Sequence, residues 1–194
     1  MSAGTQVVLL DSSAYFRLAN SVRPLLQQEF GAAPGYTLYV LAELDDEFST
    51  STRLRTKFEW VAQKEYREDR AAKRYAPREG DRTRAATAFG FLAAYADGEG
   101  IDLSREDLRA LAVGFVKGIP VVTDDRGMQR VAEAHAIECW NSIKLLRVME
   151  NAGRIDREKV AEILEYWDYE NDLPMPKARL REVFREYFGR DCPV

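Results

Sequence analysis

The amino-acid sequence predicts an α/β domain with a parallel β-sheet covered by helices on both faces. Three observations lead to it. Short apolar segments alternate with helical ones as far as Trp140; each apolar segment lacks the polar alternation of a half-wet strand; and acids stand just beyond three of them. With 194 residues, 46% of them hydrophobic and 31% charged, the chain is long enough to bury one sizeable core.

Gln6 to Leu10 is a continuous apolar and β-branched run meeting Asp11-Ser12-Ser13, so a buried strand is expected to hand over to a helix there. Helices are expected over Ser12 to Asn20 and Val22 to Phe30. The Gly31 to Gly35 stretch breaks them before a second strand, Tyr36 to Leu41, and a helix over Glu43 to Phe48. From Arg53 to Arg84 the chain is polar and helix-prone, with eleven Lys/Arg against six Asp/Glu. Ala85 to Ala96 predicts a buried alanine-rich helix closed by Gly98 and Gly100. Ser104 opens a helix that runs to Lys117 and stops at Gly118-Ile119-Pro120. Strands over Val121 to Thr123 and Ile137 to Trp140 then flank a helix over Arg126 to His135. Beyond Asn141 only helical spacing is seen, over Ser142 to Ala152, Arg157 to Tyr169 and Lys177 to Phe188. The expected organisation is a domain over residues 1–141, with a helical C-terminal extension over 142–194 packed on it.

In an open parallel sheet, ligands bind beyond the carboxyl ends of the strands. Asp11 follows the first strand, Glu43 lies two residues past the second, and Asp124-Asp125 follow the third. Asp107 belongs with them by a separate route, because each crossover helix begins near the edge where the preceding strand ends. Like charges gathered so raise one another's pKa values and cost stability unless a cation joins them. Oxygen donors of this kind select Mg²⁺ or Mn²⁺ over zinc or copper. Taken singly, Asp11, Asp107 and Asp125 each read as a helix cap and Glu43 as solvated charge. Capping explains neither Glu43 nor the pair Asp124-Asp125.

Other chemistries lack their residues. No phosphate-binding Gly-x-x-x-x-Gly-Lys loop or dinucleotide Gly-x-Gly-x-x-Gly is present, and a single histidine, His135, makes a Ser/His or Cys/His nucleophile improbable. His135 itself reads as a structural residue inside a helix. Cys139 and Cys192 suggest neither a disulfide framework nor a zinc site, which fits a reducing cytoplasm. No signal peptide or membrane span is expected. The net charge of −4 puts any attraction for polyanions in local patches or bound cations. The patch on offer is Arg53, Arg55, Lys57, Lys64 and Arg67, with Phe58, Trp60, Tyr66 and Tyr75 as candidate stacking partners or, equally, core residues.

Val7-Val8-Leu9-Leu10-Asp11-Ser12-Ser13-Ala14, Ala42-Glu43-Leu44, Ser104-Arg105-Glu106-Asp107-Leu108 with Leu111-Ala112, and Val121-Val122-Thr123-Asp124-Asp125 resemble, in order and spacing, the four motifs of PIN-domain nucleases, the family that includes the VapC-type ribonuclease toxins. The resemblance spans Gln6 to Trp140. It implies a PIN-like fold and metal-dependent endonucleolytic cleavage of RNA by the quartet Asp11, Glu43, Asp107 and Asp125. Asp11, Asp107 and Asp125 would hold Mg²⁺ or Mn²⁺, with Asp124 as an accessory ligand, Glu43 orienting the attacking water, and Ser12 and Thr123 supporting the acids. It also brings in an antitoxin partner as an expectation. A homodimer is expected on a different ground, since the aromatics of Tyr166-Trp167-Asp168-Tyr169 and of Val183-Phe184 to Tyr187-Phe188 can pack on the main domain, across a homodimer or in a partner groove. The basic stretch and the added C-terminal helices depart from the short toxins. The rival expectation is a catalytically silent PIN-like module that binds RNA or protein.

Overall fold

The structure is a computed structural model and describes residues 4–194. Five parallel strands form one sheet in the order β3-β2-β1-β4-β5: β1 (Gln6–Leu10), β2 (Tyr36–Leu41), β3 (Arg74–Tyr75), β4 (Val121–Val122) and β5 (Cys139–Trp140). The α/β expectation is met. β1 lies at the centre, with Val8 opposite Leu38 on one side and Leu10 opposite Val122 on the other. The chain first winds outward from β1 through β2 to β3, then returns to β4 and winds outward the other way. The carboxyl ends of β1 and β4 therefore flank the point where the winding reverses, which is where a doubly wound sheet opens a crevice.

The two-residue period of the strands divides the core. Val8, Leu10, Leu38 and Val122 face one layer, and Leu9 and Val121 the other. The second layer is closed by α5 (Glu79–Gly98), α6 (Arg105–Lys117) and α7 (Arg126–Ala134), through Leu92, Leu111 and Val131. Gly114 lets α6 lie close to the sheet, since a Cβ there would meet Val121 Cγ2 at 2.5 Å. The helix ends at Gly118, whose φ of 60° is left-handed and open to glycine without strain.

The first layer is closed by α1 (Ser12–Ala19) and by three C-terminal helices, α8 (Ser142–Asn151), α9 (Arg157–Tyr169) and α10 (Lys177–Phe188). Leu146, Trp167 and Phe184 from these helices belong to the same apolar cluster as Val8 and Leu38. Burying a side chain of this size contributes about 1.5–3 kcal/mol.

Three expectations need correction. Residues 22–30 are not helical, although Leu25, Leu26 and Phe30 are buried. Pro24 cannot donate within a helix, and the buried Asp69 carboxylate accepts from the Leu26 and Gln27 N–H groups, each at 3.0 Å, which replaces helical hydrogen bonds by remote ones. The polar stretch divides into α3 (Thr52–Lys57), a 3₁₀ turn over Glu59–Ala62, α4 (Lys64–Ala72) and the unexpected edge strand β3. The alanine-rich helix α5 is longer than expected and buries one face only, leaving Phe91 exposed. Among the described residues no helix is long and apolar enough to cross a membrane.

Candidate functional site

Asp11 takes an extended conformation at the end of β1 and caps α1, accepting from the Ala14 N–H at 2.6 Å and the Ser13 hydroxyl at 3.0 Å. It is only 6% exposed and has no cationic partner among the described residues. Burial pushes its carboxyl pKa up to about 7; the Thr123 hydroxyl, the Ala14 N–H and Ser13 oppose the rise, and the nearby charge of Asp124 adds to it. A carboxylate so placed is poorly stable as an anion.

β4 delivers Thr123, Asp124 and Asp125 beside it. Thr123 is fully buried, and its hydroxyl accepts from the Asp125 N–H at 3.0 Å. Asp125 caps α7 through the Met128 N–H at 2.8 Å. Asp124 turns the other way. Its carboxylate accepts from the Ser142 N–H and hydroxyl at the start of α8 and is ion-paired to Arg17 of α1. Burial still raises its pKa, against the pull of Arg17 and Ser142. Arg17 is itself held by the Asp172 carbonyl at 2.8 Å, while its backbone carbonyl accepts from the Trp167 indole N–H at 3.1 Å.

Asp107 closes a capping box with Ser104 at the start of α6, with both hydrogen bonds at 3.0 Å. Burial raises its pKa, Ser104 opposes this, and the charges of Asp125 and Glu106 raise it further. The charge of Asp125 thus reaches Asp107.

α2 (Glu43–Thr50) supplies an acid that the motif reading did not single out. Glu43 is bound to Arg109 of α6 at 3.0 Å. Glu47, one turn further along, lies beside the Ser12 hydroxyl; burial raises its pKa, Ser12 opposes this, and the charges of Asp107 and Glu106 add to the rise. The structure therefore couples Asp11 to Asp124, Asp107 to Asp125 and Glu47 to Asp107, whereas Glu43 and Asp124 carry arginine partners. The spacing of an α-helix contained the signal for Glu47, because positions i and i+4 share a face.

By donor chemistry the residues fit a hard divalent cation, since they offer only oxygens and include a buried carboxylate that its protein surroundings leave without a countercharge. By spacing, no three His, Cys, Asp or Glu among the described residues stand together closely enough to hold one ion jointly. That arrangement suits Mg²⁺, which keeps several waters and takes one or two carboxylates together with substrate phosphates, better than a calcium-type cage.

In the basic stretch, Arg53, Arg55 and Arg67 are exposed, Lys57 pairs with Asp172 at 2.6 Å and Lys64 with Glu68 at 3.7 Å. Tyr66 is buried and Phe58 and Trp60 pack on the core, so these three are structural, and Tyr75 lines a cavity considered below. The His135 ring sits against the edges of Phe91 and Tyr95, with centroids 4.8 and 4.5 Å away.

No protein-family model matches the chain, and no curated protein does. Among solved structures, it is similar to FitAcB from Neisseria gonorrhoeae, with a TM-score of 0.43 and 15% identity over 70% of this chain and 97% of that one. It is likewise similar to VapBC-5 from Mycobacterium tuberculosis, a member of the VapBC family of toxin-antitoxin systems, with a TM-score of 0.43 and 20% identity over 70% of this chain and 98% of that one.

Proposed function

We propose that this protein is an Mg²⁺- or Mn²⁺-dependent endoribonuclease working at the crevice between β1 and β4. The observation that carries the proposal is Asp11: a buried carboxyl with a pKa of about 7, placed where the winding of the sheet reverses, with the charge of Asp124 adding to its proton affinity. Groups perturbed by burial and like charge are typical of working sites.

One or two of Asp11, Asp107 and Asp125, with water and substrate phosphate completing the shell, would hold the ion, which would lower the pKa of water and offset charge on phosphate oxygens. The chain's own residues do the rest. Glu47, whose proton affinity is raised and whose neighbour is the Ser12 hydroxyl, accepts the proton of the attacking water. In this proposal it takes the part that the motifs suggested for Glu43. Thr123 steadies both Asp11 and Asp125. Asp124 is a positioning residue, since its ties to Arg17 and Ser142 fix the backbone that presents Asp125. An antitoxin partner belongs to the proposal through the motif resemblance and a homodimer through the aromatics of the C-terminal helices, and co-purification with the product of a neighbouring gene would test the first.

One observation favours a second reading, a silent module that binds RNA without cutting it: Glu43 and Asp124 are already neutralised by Arg109 and Arg17. Cleavage of mixed single-stranded RNAs, with a DNA arm, separates the two. The nuclease reading expects cleavage only with Mn²⁺ or Mg²⁺, reduced at least about 100-fold in Asp107→Asn and in Glu47→Gln. Equal cleavage by wild type and Asp107→Asn would place the chemistry elsewhere, and RNA binding with no cleavage at any metal concentration would establish the module.

A further inference from the structure

A cavity of about 370 Å³ lies beside the acidic crevice rather than in it. Its position follows from the sequence. β2 and β3 end side by side, with Leu41 opposite Tyr75, and the helices that cross above them present alanines there, which leaves a hollow that larger side chains would fill. The wall is apolar and aromatic, formed by Tyr75 and Phe89, and the rim carries Arg82, Arg105 and Arg109 with Glu43. Arg109 is engaged by Glu43. Arg82 gives its Nε–H to the Pro77 carbonyl at 3.0 Å, which fixes the guanidinium at the rim, and neither Arg82 nor Arg105 has a carboxylate partner among the described residues. A chain with a net charge of −4 here concentrates three guanidinium groups around an aromatic slot.

Aromatic faces take up a base by stacking, guanidinium forks take up phosphate, and the volume lies in the range of about 300–1,000 Å³ expected of a small-molecule site. The cavity is also in register with the proposed chemistry. Arg105 and Arg109 bracket Asp107 on α6, and Glu43 precedes Glu47 by one turn of α2. We propose that this cavity binds one unstacked nucleotide of a single strand, with its base against Phe89 and Tyr75 and its phosphate at Arg82 and Arg105. The inference deepens the nuclease reading by naming a nucleotide subsite next to the acids, and as a binding site it stands apart from catalysis.

The test uses the full-length protein and a nucleoside 5′-monophosphate titrated by calorimetry, with inorganic phosphate as a second probe. The variants are Arg82→Ala/Arg105→Ala and Ala86→Trp, the latter placing an indole in the cavity from an exposed position of α5. Thermal melts check that they fold. Wild type and Asp11→Asn are expected to bind the mononucleotide equally. Both cavity variants should bind it at least about tenfold more weakly, with phosphate alone weaker than the nucleotide in every case. In RNA cleavage the same variants should raise KM about tenfold with kcat held. The inference is overturned if wild type binds no mononucleotide, or if Ala86→Trp binds it as wild type does. Nucleotide binding that follows this pattern in a protein that cuts no RNA would keep the subsite and remove the nuclease. Cleavage with KM unchanged in both variants would do the reverse.

Discussion

Replacing Asp11 by asparagine keeps the shape and the cap, since the amide oxygen can still accept from the Ala14 N–H, but deletes a charge the fold tolerates badly. The folded pKa of about 7 lies above the ordinary 3.8, so the native state holds its proton more tightly than the unfolded chain. The resulting cost is absent below about pH 4, grows as pH rises towards 7 and is constant above that. The shift from 3.8 to about 7, at about 1.4 kcal/mol per unit, amounts to about 4 kcal/mol at pH 8 and about 2 kcal/mol at pH 5. Urea unfolding in a chelator should therefore show Asp11→Asn more stable than wild type, by an upper limit of about 4 kcal/mol at pH 8 and roughly half of that at pH 5. Adding Mn²⁺ at about 100 times its Kd should restore about 2.7 kcal/mol to wild type, some 5–10 °C in melting temperature, and little to the variant. Wild type and variant with the same pH slope and the same Mn²⁺ response would refute both the strained carboxyl and the cation that relieves it.

Two other substitutions test the surrounding structure. Arg17→Ala removes the partner of a buried carboxylate and should cost about 3–5 kcal/mol at pH 7 in denaturant titrations, with part of the loss recovered at low pH as Asp124 takes up a proton. Gly114→Ala pushes a methyl group against Val121 and should lower stability by about 1–3 kcal/mol in the same assay, while Gly118→Ala should cost less because nothing crowds that position and only its positive φ resists.

Helices governed by local signals were readable from the sequence. α6 begins at its capping box and stops at Gly118, and α9 and α10 begin and end where their apolar spacing does. The central strands were readable because a run such as Val7 to Leu10 is apolar towards both layers. What escaped depends on partners distant in sequence. The bent segment around Leu26 is set by Asp69, 43 residues away, and β3 is two polar residues made a strand only by the edge of β2. The acids divide in the same way. Asp11, Asp107 and Asp125 were visible because strand ends and caps fix their backbones, but which neighbouring acid would meet an arginine was not, since Arg17 and Arg109 lie far from Asp124 and Glu43 in the chain.

The shared apolar layer bears on how the molecule comes into being. A chain emerging from the ribosome presents β1, β2 and α1 long before residues 143–188 exist to cover them, so Val8, Leu10 and Leu38 face water during that interval. The salt link that quiets Asp124 is likewise completed late, because the backbone that grips Arg17 comes from Asp172. Synthesis thus delays a finished crevice until nearly the last helix, and a half-made polypeptide has the acids without the scaffold that aligns them.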